Sequence, residues 1–208
     1  MPLTNTDARY GSVTKVFHWL TALMIFTVIP LGVVAHNLPV EGDSLALKAR
    51  LYSMHKTLGL AILFTALARI LWAIAQPARP GTLTPGKKVE TFLAATVHFT
   101  LYGALVLVPL LGWMTHAATE GFAPIWWPFG QNLPLVPDDP ELAERFAHMH
   151  QFWERVMVAA LLLHIVGALK HHVIDKDATL RRMWFGRTEA SGSDTPHGAT
   201  PALVAAAI

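Results

Sequence analysis

Cysteine is absent from the 208-residue chain. That absence excludes disulfides, iron–sulfur clusters, thiolate-ligated haem and covalent haem attachment through a C-x-x-C-H motif. Any haem held here must be bound by histidine or methionine, without a covalent link. Charge is scarce as well. Asp, Glu, Lys and Arg make up 14% of the residues, against about 25% in soluble domains. Within the long apolar runs Glu154 is the only carboxylate, whereas non-haem iron and zinc sites usually draw on carboxylate or thiolate ligands. No small-x-small cleavage pattern follows the first apolar run, so that run reads as a retained helix and not as a signal peptide. No internal repeat stands out.

What the chain does have is apolar length. Hydrophobic residues make up 53% of it. The runs Phe17–Ala35, Thr57–Ala75, Phe92–Met114 and Phe152–Ile174 each approach the roughly 20 residues that cross hydrocarbon. Backbone groups in lipid must bond within their own segment, so these runs are expected to be helices. The fold class expected is all-α, an integral membrane four-helix bundle. Arg9 and Lys15 lie before the first span, and Arg79, Lys87 and Lys88 between the second and third. Lys170, Lys176, Arg181, Arg182 and Arg187 close the fourth span or follow it. The loop from about Ala117 to Arg145 is acidic, with Glu120, Asp138, Asp139, Glu141 and Glu144, and the loop from about Asn37 to Tyr52 is balanced. Basic residues mark the cytoplasmic side, which predicts that both termini are inside. The net charge of +2 is spread over three segments as a topology signal and implies no nucleic-acid partner. Trp126–Gly130 (WWPFG) reads equally as an interfacial anchor or a packed loop. The stretch from Thr188 onward reads as a disordered tail.

The histidines supply the chemistry. His150 and His164 are fourteen residues apart (164 − 150 = 14), which on a helix is about 40° short of four turns and about 21 Å of rise. His171 continues the same stripe to the helix end. With both termini inside, His18 and His164 share an inner depth, and His55 and His150 share an outer one. Each pair draws on two helices, as cofactor sites in bundles do. Arg50 precedes His55 by five residues and Arg145 precedes His150 by five; Arg69 follows His55 by fourteen. Arg69 therefore falls at the inner depth, where a guanidinium needs an anionic partner such as a haem propionate. Spacing alone leaves the ligand set open. His18 and His36 are eighteen residues apart, as are His98 and His116, and Pro30 and Pro109 bend those intervals. A lone intramembrane histidine also serves as a structural hydrogen-bonding residue. Bis-imidazole ligation in an apolar bundle suits a low-spin, electron-carrying haem.

Arg9–Gly11 (RYG), Phe17–Leu20 (FHWL), His55–Gly59 (HKTLG) with Arg69, His98–Tyr102 (HFTLY), the His150–His164 interval and Leu169–Met183 (LKHHVIDKDATLRRM) together resemble the bacterial cytochrome b561 family. That group is related to the cytochrome b subunit of nickel–iron hydrogenases and to superoxide:ubiquinone oxidoreductase. The resemblance runs to about Arg187, which sets a four-helix transmembrane domain over residues 1–187 and a tail over 188–208. It implies two b-type haems in a multi-pass protein of the bacterial inner membrane. Carried over by position, it makes His18 and His164 the ligands of the inner haem, and His55 and His150 those of the outer one. Arg69, Arg50 and Arg145 become propionate or supporting partners. His98 matches a family position with no ligand role, and hydrogen bonding near a haem is expected of it. His171 falls where the family binds quinone, and serves equally as an interfacial basic residue. Three functions follow: an oxidoreductase such as superoxide:ubiquinone, an electron-transfer subunit docking to a redox protein, or a haem-free histidine-lined metal or proton transporter.

Overall fold

The computed structural model describes residues 2–7, 9–78, 80, 88–119 and 122–186. The expected tail from Thr188 lies outside the described residues, as do Arg79, Lys87, Glu120 and Arg187. Among the described residues the protein is helical, with no strand: α1 is Ser12–Asn37, α2 Asp43–Ile74, α3 Lys88–Ala117 and α4 Pro140–Lys170. A π-helical turn, His171–Asp175, continues α4, and a short helix α5, Thr179–Met183, follows. Four helices are long and apolar enough to cross a membrane, and at most 28% of any one apolar window is buried inside the protein. The rest of each window is surface that suits lipid tails, since only the bundle-facing stripe has protein neighbours.

The helices begin earlier than hydropathy predicts. The first loop was expected to run to Tyr52 and the last to Arg145, yet α2 starts at Asp43 and α4 at Pro140. The reason for α4 is local. The Asp139 carboxylate accepts from the backbone N–H groups of Glu141 (2.9 Å) and Leu142 (3.2 Å), and Pro140 takes the first helical position, where no N–H is needed. Glu141, Glu144 and Arg145 are thus helical residues. On α2, the Lys48 ammonium donates to the carbonyls of Leu38 (2.6 Å) and His36 (3.3 Å). It satisfies acceptors left open at the end of α1.

The chain forms two compact units, Met1–Leu20 with Leu67–Gly103 and Val156–Ile208, and Thr21–Ala66 with Ala104–Arg155. In the first, the two ends of the chain meet. Asn5 accepts through Oδ1 from Gly11 N–H (2.8 Å) and Thr14 Oγ1 (2.9 Å), steadying the start of α1. Lys15, 3% exposed, donates to the carbonyls of Trp184 (2.9 Å) and Gly186 (3.3 Å). Trp19 Nε1 donates to Met183 O at 2.8 Å. The strap after α4 is thereby tied to α1. Lys15→Met removes two charge-assisted hydrogen bonds, a local loss of about 1.5 kcal/mol or more. Tryptic cleavage at the buried Arg182 should quicken about tenfold, and an unchanged cleavage rate would mean the strap is held by packing alone.

In the second unit the long loop is packed. Leu60, Leu63 and Ile125 form a buried cluster against Val106, Trp113 and Trp127. Trp127 meets Trp113 edge-on with ring centres 5.1 Å apart, whereas Trp126 and Phe129 are largely exposed. The WWPFG run thus supplies both a packed ring and exposed ones.

Candidate functional sites

Within the first unit, His18 on α1 and His164 on α4 have ring centres 6.1 Å apart. His98 on α3 stands edge-on to His164 at 4.9 Å, and its Nδ1–H is held by the Ala94 carbonyl of its own helix (2.7 Å). The Arg69 guanidinium, stacked over the Tyr102 ring at 4.9 Å, acts electrostatically on His18, His98 and His164. Close by is Tyr10, whose phenol burial pushes up to about 12 against the pull of Arg182 and Arg69. It stays protonated, and so remains a donor, at any ordinary pH.

Within the second unit, His55 on α2 and His150 on α4 have ring centres 6.4 Å apart. Both rings are oriented by backbone. His55 Nδ1 donates to the Val28 carbonyl of α1 (2.9 Å), and His150 Nδ1 to the Val108 carbonyl of α3 (2.8 Å). A carbonyl has two lone pairs, so it accepts such a bond beside its helical one. With Nδ1 carrying the proton, Nε2 of each ring is the nitrogen left for a metal. Glycine makes the approach feasible. A Cβ on Gly32 would lie 2.7 Å from His55 Cε1, and one on Gly112 would lie 3.1 Å from His150 Cε1.

Both pairs have the ring-centre separation that one iron between two imidazoles requires. Two nitrogens each about 2 Å from a metal, plus roughly 1.1 Å from each nitrogen to its ring centre, put the centres about 6.2 Å apart. The observed 6.1 and 6.4 Å bracket that span, whereas 4.9 Å between His98 and His164 is too short. His36 is exposed. His116 is buried between Lys56 Nζ (3.1 Å to Nδ1) and Gln131 Oε1 (2.9 Å to Nε2).

The arginines expected beside the second pair are at the surface. Arg50 is exposed, and Arg145 pairs with Glu141 at 2.6 Å, both well exposed. His171 sits in the π-helical turn, its Nδ1 2.6 Å from Asp177 Oδ2 and 3.2 Å from Asp175 Oδ2. Burial raises the Asp177 carboxyl, but hydrogen bonds from Thr179 and His171 outweigh it and hold the group below its ordinary value. Ligand atoms of Glu90, His171 and Asp175 lie within 4.8 Å of one another. The Lys170 ammonium, 2.9 Å from both Glu90 and Asp175, already supplies the positive charge there.

Val28, Val108, Gly32 and Gly112 escape a reading based on histidine spacing, yet the sequence carries a signal for them. His18, Val28, Gly32 and His36 recur 80 residues later as His98, Val108, Gly112 and His116 (98 − 18 = 80). Arg50, His55 and Arg69 map 95 residues on to Arg145, His150 and His164 (150 − 55 = 95). Contrary to the expectation of no internal repeat, these positions relate α1–α2 to α3–α4, with Arg69 standing where the second half has His164.

The family described as prokaryotic cytochrome b561 matches residues 9–186. Cytochrome b561 homolog 2 of Escherichia coli K12 is 32% identical over 184 residues, covering 88% of this chain and 95% of its own. Cytochrome b561 homolog 1 of the same organism is 25% identical over 84% of this chain and 96% of its own. The probable superoxide oxidase CybB of Yersinia pestis is 24% identical over 84% and 95%. With four membrane-length helices and histidine pairs spaced for iron, this chain belongs to the prokaryotic cytochrome b561 family, membrane electron-transfer cytochromes that carry b-type haem.

Proposed function

We propose that the chain is a diheme cytochrome of the bacterial inner membrane, with both termini in the cytoplasm, that passes electrons between its outer face and the quinone pool. The observation that carries this reading is the pair of ring-centre distances, 6.1 Å for His18–His164 and 6.4 Å for His55–His150. In this reading His18 and His164 bind the inner haem, and His55 and His150 the outer one. Bound haem supplies an iron that takes up and gives back one electron at a time. The protein's part is to orient the rings, exclude water and fix charge. Arg69 is the residue suited to an inner propionate; Arg50 and Arg145 need their side chains to turn from the surface to serve an outer one. His171, tied to Asp177 at the inner edge, is positioned to hold a quinone oxygen and relay protons to it.

The substrate reading favoured is superoxide oxidation coupled to ubiquinone reduction. Two superoxide anions each lose one electron and leave as dioxygen, while the quinone gains two electrons and two protons to become the quinol. Lys48 and Lys56 support it. The acceptors described for both ammonium groups are neutral, so no carboxylate among them offsets the positive charge that would draw an anion on the outer side. The engagement of Arg145 by Glu141 favours a second reading, an electron-transfer subunit that docks to a redox protein and has no substrate of its own. Haem content decides the first point: two b-type haems per chain are expected, and one or none would end the diheme reading. Mixing the purified protein with superoxide and a quinone analogue decides the second. Rapid haem reduction with no protein partner present supports the enzyme, and its absence supports the subunit.

A further inference from the structure

The two histidine pairs are built differently, and the difference falls on the residues around the imidazoles. At the His55–His150 pair the internal repeat is kept. The ligands are repeat mates, their carbonyl partners Val28 and Val108 are repeat mates, and so are the glycines that let the rings approach. An imidazole whose Nδ1–H is bound to a carbonyl has partial imidazolate character and is a stronger donor to a metal. A stronger donor favours the ferric state. The charged residues beside the two rings in the chain are of opposite sign, Lys56 next to His55 and Glu154 one helical turn after His150.

At the His18–His164 pair the repeat is broken. The mate of His18 is His98, which keeps its Nδ1–H for its own helix, and the mate of His164 is the guanidinium of Arg69. Among the described hydrogen bonds none engages a ring nitrogen of His18 or His164. A fixed positive charge with weakly polarised ligands favours the ferrous state. Both effects push in the same direction.

We propose that Val28 and Val108, admitted to the ligand rings by Gly32 and Gly112, hold the outer site at the lower potential, while Arg69 holds the inner site at the higher one. The inner site is then the better electron acceptor of the two, which sets the preferred direction as outward face to cytoplasmic edge. The inference rests on the diheme reading above, and haem content tests that reading separately.

The test is an equilibrium redox titration of the purified holoprotein, followed through the reduced haem bands and the low-spin paramagnetic resonance signals. Two steps are expected. His164→Ala should abolish the upper step and leave the lower one. Arg69→Gln should move only the upper step, downward. Gly32→Ala should move only the lower step, upward, and shift the resonance signal that reports the angle between the ligand rings. Where Gly32→Ala loses the outer haem, Gly112→Ala, whose clash is milder, carries that comparison. Gly103→Ala, where a Cβ meets nothing within 4 Å, should move neither step. Two haems with one shared midpoint, or survival of the upper step in His164→Ala, would overturn the inference while leaving the diheme reading intact. A wild-type protein with a single haem would instead overturn the reading on which it rests.

Discussion

Replacement of His164 by alanine should cut bound haem from two per chain to one. His164 is the α4 member of its pair, and its ring centre lies 6.1 Å from that of His18. A haem held between these two rings would lose half of its protein ligation, and without a covalent link it should then be lost on purification. His55 and His150 keep their carbonyl partners at 2.9 and 2.8 Å, so the outer haem should survive with an unchanged spectrum. The one nearby substitute is His98, 4.9 Å from His164. Its Nδ1–H is already committed to Ala94, which leaves Nε2 available to swing inward. Haem quantified against protein should therefore also be measured in a His98→Ala, His164→Ala double variant. Retention of both haems in that variant would remove His164 from the ligand set.

A second large effect is expected at Lys56. Its ammonium donates to the Phe122 and Ala123 carbonyls at 2.6 and 3.0 Å and to His116 Nδ1 at 3.1 Å. Ala123 holds a left-handed backbone conformation, φ 62°, which is costly for a residue with a Cβ. The three acceptors gathered on one cation offset that cost and fasten the long loop to α2. Lys56→Met keeps the stem and deletes the charge, which should lower the local stability of the loop by about 2 kcal/mol. At about 1.4 kcal/mol per factor of ten, cleavage within residues 122–136 by a protease added from outside should rise roughly 30-fold. An unaltered rate would assign the anchoring to Trp127 and the Leu60–Leu63–Ile125 cluster instead.

The existence and number of the spanning helices were legible in the four apolar runs, because length in hydrocarbon leaves a chain no other option. Their ends were not. The turns of α2 and α4 that carry Lys48, Arg50, Glu141 and Arg145 are helical without being apolar, and only the Asp139–Pro140 pair announced one of them. The depth argument paired His18 with His164 and His55 with His150, and the structure brings each pair together. Spacing alone could not set aside His36 and His116. What separates them is that one faces outward and the other is held by Lys56 and Gln131, and neither fact follows from helical phase. The partners of the outer rings were hidden for a different reason. They are backbone carbonyls, which any residue supplies, and only the recurrence of V-x-x-x-G-x-x-x-H in α1 and α3 hints at them.

Each histidine pair takes one member from α4, the fourth spanning helix to leave the ribosome. Neither pair can be complete while the first three spans wait in the membrane, so under the proposed ligand set neither site can be loaded before α4 has been made. Under that proposal loading follows the making of α4, and a truncation upstream of Pro140 should forfeit both pairs together. A chain cut between His150 and His164 should instead keep the His55–His150 pair and lose only the other.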